Sequence, residues 1–166
     1  QEITLPTDPI SHIDGEGEIA LCILSAINVG IIKLDELSNL CDLAVRGLEE
    51  LIDYQQYPVE AAERSTLARR SLGIGYIGLA HFLAKNKVKY NDPEAYRLVH
   101  ELTEKFQYHL LCASNQIASE KGACEYFDRT KYAKGILPID TYKKEVDDIV
   151  PNELKEDWEK LRVRIK

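Results

Sequence analysis

Hydrophobic and polar positions change period several times along this chain, and each change marks an element. Residues Glu2 to Leu5 alternate and suit a short strand that stops at Pro6. A turn-rich loop follows over Asp8 to Gly17. Ile19 to Ile27 is then an apolar run rich in β-branched residues, which predicts a strand buried on both faces, as in a parallel sheet or barrel. From Leu34 the period lengthens: Leu34, Leu37, Cys41, Ala44, Leu48 and Ile52 share one helical face, so a helix is expected to end near Tyr54. Pro58 fits the first turn of a second helix through Ala61 and Leu67. Gly73 and Gly75 read as a break before the apolar stretch Ile77 to Ala84. The clearest helix is the next one. Asn91 or Asp92 can cap it, Pro93 fits its first position, Gly122 fits the position past its end, and Ala95, Leu98, Leu102, Phe106, Leu110 and Ile117 form its stripe. An irregular stretch, Glu125 to Gly135, precedes two helical pieces around Tyr142 to Ile149 and Leu154 to Ile165. Short strands followed mostly by helix make an α/β pattern with too few strands to close a sheet alone.

Composition narrows the classes. With 166 residues, 45% hydrophobic and 30% charged, the chain is ordinary globular protein, long enough to bury roughly 70% of its unfolded surface as one domain. Its net charge of −7, with no Lys/Arg cluster, argues against nucleic acid as a partner. Runs such as Ile19 to Leu24 are too short to span a bilayer, and no basic, apolar-cored leader opens the sequence. Methionine is absent and the chain starts at Gln1, so a processed, split-gene or excised segment is expected.

Cys22, Cys41, Cys112 and Cys124 are spaced too far apart for a C-x-x-C zinc site, and reduced thiols in a cytosolic protein are expected. Cys22 in a buried strand reads either as a small apolar residue or as a redox thiol that needs a partner. Glu2 is a solvated carboxylate unless chain ahead of it forms a pocket, where burial would raise its pKa and make it a usable base. Gly73-Ile74-Gly75-Tyr76-Ile77-Gly78 matches G-x-G-x-x-G, but a helical pattern rather than a strand precedes it. A close-packed junction is therefore set against a dinucleotide-binding, dehydrogenase-like module. His12, His81, His100 and His109 have no shared metal spacing, and Arg69-Arg70 reads as an ion-paired or solvated pair. The Pro93–Lys121 stripe leaves a non-catalytic helical interaction module as a further alternative.

Longer strings carry a resemblance. Gln1-Glu2-Ile3-Thr4-Leu5-Pro6-Thr7, Gly17 to Ala26, Leu51 to Pro58, Arg69 to Gly75 and Tyr132 to Tyr142 together resemble the large, catalytic subunit of class I ribonucleotide reductases of bacteria and phages. The similarity runs along essentially the whole chain. It implies part of a ten-stranded α/β barrel, incomplete on its own, with residues 1–130 in the barrel and 131–166 in a small, mostly helical extension. In the family's Asn-x-Cys-x-Glu motif, Gln1 would be the last variable position and Glu2 the glutamate, both at the substrate. The asparagine and the radical cysteine would lie ahead of residue 1. Ala20-Leu21-Cys22 resembles the strand of the second redox cysteine, whose disulfide partner would lie outside this chain.

The resemblance also implies a reaction. A thiyl radical takes the 3′ hydrogen of a ribonucleoside diphosphate, Glu2 takes the 3′-hydroxyl proton, the 2′-hydroxyl leaves as water, and Cys22 ends in a disulfide. The implied partners are the remaining segments of the large subunit, a radical-generating metal-containing small subunit, the substrate, and thioredoxin or glutaredoxin as reductant. Nucleotide effectors would bind elsewhere, and no metal or cofactor is expected on this segment. The isolated chain is expected to be inactive.

Overall fold

The computed structural model describes residues 3–4, 17–150 and 153–166. Strand β1 (Ile3–Thr4) pairs antiparallel with β2 (Ile19–Ala20), Ile3 opposite Ala20 and Thr4 opposite Ile19. Strand β3 (Ile23–Asn28) pairs with β4 (Leu72–Ile77) in parallel, Leu24 opposite Gly73 and Ile27 opposite Tyr76. Parallel neighbours need a crossover. Here it consists of a 3₁₀ turn (Leu34–Glu36), helix α1 (Leu37–Tyr54) and helix α2 (Glu60–Arg69). Helices α3 (Leu79–Lys85), α4 (Pro93–Lys121) and α5 (Trp158–Ile165) follow, with short 3₁₀ turns between the last two.

Helix α1 packs along α4, and both lie on one face of the β3–β4 sheet. Side chains on that face, Ile27 from β3 and Ile74 and Tyr76 from β4, join Cys41, Leu102 and Phe106 in the main core. Tyr76 meets Phe106 edge to face at 5.4 Å and 86°, which suits the ring quadrupoles. A separate cluster of Leu137, Trp158 and Leu161 packs against Tyr108 and Leu111 and fastens α5 to the other side of α4.

Several sequence expectations need correcting. Ile19 to Ile27 is two strands with a break at Leu21–Cys22, and β3 is buried on one face only: Leu24 stays 65% exposed. All described helices that touch this sheet sit on the other side, so the run's two apolar faces have one cover between them. Gly73 and Gly75 do not break the chain; they lie inside β4, because pairing with β3 satisfies their backbone and overrides glycine's poor strand propensity. Pro58 precedes α2 rather than starting it; Val59 is the extended N-cap. The piece around Tyr142 to Ile149 is only a 3₁₀ turn, Lys144–Asp148. The last helix starts at Trp158, not Leu154: Asp157 caps it by accepting the Lys160 N–H at 3.0 Å, and the Glu104 carboxylate accepts the N–H groups of Lys155 and Glu156 in the segment ahead. The long helix runs as expected from Pro93 to Lys121, with Gly122 past its end at φ +94°.

Candidate active site on the open sheet face

Cys22 sits in the break between β2 and β3, a free, half-buried thiol and not, as expected, a residue inside a buried strand. Its side chain shares a face with Leu24 and with the Cα hydrogens of Gly73. A Cβ placed on Gly73 would lie 3.8 Å from the Cys22 sulfur and only 2.5 Å from Leu24 Cδ2. Glycine at 73 therefore lets the Leu24 side chain cross β4 and leaves bare backbone beside the thiol. This is the sheet face that no described helix covers, where Ala26, Gly75 and Ile77 are also exposed.

The hairpin ahead of Cys22 is fastened to α2. Arg64 Nη2 donates to the Gly17 carbonyl at 2.5 Å, and Arg69 forms a two-pronged pair with Glu18, Nη1 to Oε1 at 2.9 Å and Nη2 to Oε2 at 2.8 Å. These guanidinium bonds hold the Glu18 carboxyl below the usual glutamate range. Arg70, left-handed at φ 49°, turns the chain from α2 into β4, and its guanidinium is gripped by Glu49 and Asp53. The Arg69-Arg70 pair is thus ion-paired, one of the two options its sequence left open.

Gln1, Glu2 and His12 lie outside the described residues. Ile3, the neighbour of Glu2 in sequence, pairs with Ala20, two residues before Cys22.

The other candidates fall away from this face. Burial pushes the Cys41 thiol up to about 12 and raises those of Cys112 and Cys124, in keeping with packing roles. Burial also lowers the His109 pKa. His109 and Cys112 line a shallow groove of about 300 Å³ among the helices with Asp42 and Arg164, away from Cys22. Among the described residues, no three His, Cys, Asp or Glu side chains are grouped to hold a metal ion. The G-x-G-x-x-G string does not make a phosphate loop. Its first two glycines are in mid-strand, and only Gly78 occupies the turn into α3, at φ +80° against the Asn28 side chain. Sequence reasoning missed the roles of Arg64 and Glu18; the adjacent Arg69-Arg70 pair was the one visible signal, but its partners lie 51, 21 and 17 positions away.

Two parallel strands backed by helices on one side, with a thiol and bare glycine backbone on the other, are consistent with a portion of an incomplete α/β barrel. The comparisons agree. The family model for the ribonucleotide reductase barrel domain matches residues 1–166, and the chain belongs to that family. It is 60% identical over 163 residues to the ribonucleoside-diphosphate reductase subunit alpha of Haemophilus influenzae, covering 97% of this chain and 22% of the relative. The subunit alpha of Enterobacteria phage T4 is 42% identical over 99% of the chain, again 22% of the relative. The ribonucleoside-diphosphate reductase 1 subunit alpha of Escherichia coli is 55% identical over 69% of the chain, 15% of the relative. The chain therefore corresponds to a partial segment of these oxidoreductase subunits.

Proposed function

We propose that this chain supplies one segment of the catalytic barrel of a ribonucleoside-diphosphate reductase large subunit, carrying two of its reacting groups, Glu2 and Cys22. Glu2 accepts the 3′-hydroxyl proton of the substrate, with Gln1 beside it at the sugar. Cys22 is one of two thiols that reduce the ribose. The 2′-hydroxyl departs as water, both thiols lose a hydrogen and form a disulfide, and a deoxyribonucleoside diphosphate results. The radical cysteine and the partner sulfur of Cys22 come from other segments of the large subunit. The radical itself comes from a metal-containing small subunit, and a thioredoxin- or glutaredoxin-type dithiol restores the thiols. Nucleotide effectors bind outside this segment.

The observation that carries this reading is Cys22 itself, a free, half-exposed thiol beside the bare backbone of Gly73 on the uncovered sheet face, two residues from the strand pair that begins next to Glu2. A sulfur there is open to a second sulfur and to a sugar. We group residues 1–130 with the barrel and 131–166 as a small extension, supported by the separate cluster around Leu137, Trp158 and Leu161. We place the protein in the cytoplasm, supported by four free cysteines; no helix among the described residues is long and apolar enough to cross a membrane.

The test is reconstitution. This segment is combined with the remaining large-subunit segments, small subunit, dithiol reductant and ribonucleoside diphosphate. Deoxyribonucleotide forms with the native segment, none forms with the segment alone, and Glu2→Gln and Cys22→Ser each abolish turnover. Undiminished turnover in both variants would overturn the proposal.

A further inference from the structure

Cys22 lies at a joint. On one side the β1–β2 hairpin is held to α2; on the other the β3–β4 sheet is held to α1 and α4. The described pairing of the hairpin covers two residues of each strand, and α2 fastens it from outside. Its fastening is the pair of residues just before β2: Gly17, bound by Arg64, and Glu18, bound by Arg69. Arg69 is itself oriented. Its Nη1 donates to the buried Ser65 Oγ at 3.1 Å, and its guanidinium lies 4.8 Å from the Tyr126 ring centre. The Tyr126 ring is also covered by Arg129 at 3.7 Å. The Tyr126 backbone N–H donates to Ala68 on α2 at 3.0 Å, so the support returns to the helix it started from.

We propose that Arg69, acting through Glu18, is a positioning residue for the reductase chemistry: it sets the angle between the two sheets at the Cys22 joint and so aligns the thiol with the hairpin strand that begins beside Glu2. This rests on the roles given to Cys22 and Glu2 above. A parallel, two-pronged guanidinium–carboxylate pair fixes direction as well as distance, which a lysine's point charge does not. Displacement of a reacting group by about 1 Å can cost on the order of 10²-fold in rate with little change in binding.

The experiment uses the assembled reductase with Arg69→Lys, Glu18→Gln and the double variant. Arg69→Lys keeps the charge and loses the fork; Glu18→Gln keeps the shape and loses the charge. Each is expected to lower kcat by roughly 10- to 100-fold, with KM for the ribonucleotide close to that of the parent and the unfolding midpoint lowered only by the small worth of one partly exposed ion pair, so that the enzyme stays folded in the assay. The double variant is expected to be no slower than the slower single variant, because both changes break one link. In enzyme reduced beforehand and given no external dithiol, the burst of product should slow without losing amplitude. A purely structural role would instead lower the midpoint and reduce kcat only in proportion to the folded fraction, and that result, or unchanged kcat in both single variants, overturns the inference. Cys22→Ser in the same assembly separates the two levels. If it keeps turnover, the functional reading itself fails; if it is inactive while the Arg69 and Glu18 variants run at the parent's rate, only the positioning role fails.

Discussion

Trp158 donates its indole N–H to Glu104 Oε1 at 3.0 Å, and the same oxygen accepts the backbone N–H groups of Lys155 at 2.8 Å and Glu156 at 3.0 Å. One buried carboxylate on α4 thereby fastens the segment ahead of α5 and seats the tryptophan in its cluster. Glu104→Ala strips three donors of their acceptor at once. An unsatisfied buried donor costs about 1–3 kcal/mol, so a loss of about 3 kcal/mol is expected once solvent reaches the two backbone groups. Trp158 is the chain's only tryptophan, and its emission should shift to longer wavelength as the midpoint falls. Unchanged emission and midpoint would show that Glu104 does not hold this segment.

Two glycines with positive φ should behave differently when replaced by alanine. At Gly78 (φ +80°) a Cβ would overlap Asn28 Oδ1, the atom that accepts the Gly30 N–H at 3.1 Å. At Gly122 (φ +94°) nothing lies within 4 Å of the new atom. Gly122→Ala carries only the backbone cost of about 1–2 kcal/mol. Gly78→Ala adds the clash and the disturbed turn, so it is expected to cost about 3 kcal/mol or more. Denaturant midpoints with equal m-values would give the ranking, and equal losses at both sites would contradict it.

The Glu18–Arg69 pair predicts a specific pH dependence. Arg69 lowers the Glu18 pKa in the folded state from an ordinary value near 4.5. A lowered folded pKa adds stability that is complete above the unfolded value and is lost as pH falls through the folded one. The stability difference between the parent and Glu18→Gln should therefore be constant from neutrality down to about 4.5 and shrink below it. A gap that widened in acid would reverse the assigned sign.

Thiol labelling should sort the four cysteines. Cys41 is fully buried and its thiol is pushed up to about 12, so it should resist alkylation until the chain unfolds. Cys22, half-exposed on the uncovered sheet face, should be the first labelled in native protein. Mass mapping after brief treatment with iodoacetamide reads the order, and early labelling of Cys41 would place it wrongly in the core.

Titration with nicotinamide dinucleotides checks the remaining alternative. With Gly73 and Gly75 inside β4, no glycine loop stands free to wrap a pyrophosphate, and no saturable binding is expected. A stoichiometric binding isotherm would restore that reading.

Much of the helical layer was legible in the amino acids. Helix α4 shows its stripe, its proline start and its glycine stop, and its observed limits are the expected ones. Those signals are local, three or four residues apart, and helix periodicity needs no knowledge of the partner. The strands were harder. Leu72 to Ile77 contains two glycines and reads as a break, yet pairing with β3 makes it a strand. The apolar run from Ile19 to Ile27 indicated a strand of a parallel sheet, which Ile23–Asn28 forms, but could not reveal that the chain breaks at Leu21–Cys22 or that only one face is buried.

The candidate site divides the same way. Glu2 and Cys22 were singled out from residue type and from resemblance, before any geometry. Their support was not: Arg69 meets Glu18 across 51 positions.

The sequence by itself therefore determined the long helices α1 and α4, the family and the two residues proposed to react, because periodicity, capping and motif strings are written in neighbouring residues. Only the tertiary structure decided which face of β3 the described helices leave uncovered, that Gly73 leaves bare backbone beside the thiol, and which arginine holds the hairpin. Those depend on a crossover that brings Leu24 opposite Gly73, and on charge pairs between residues that meet only after the chain has folded.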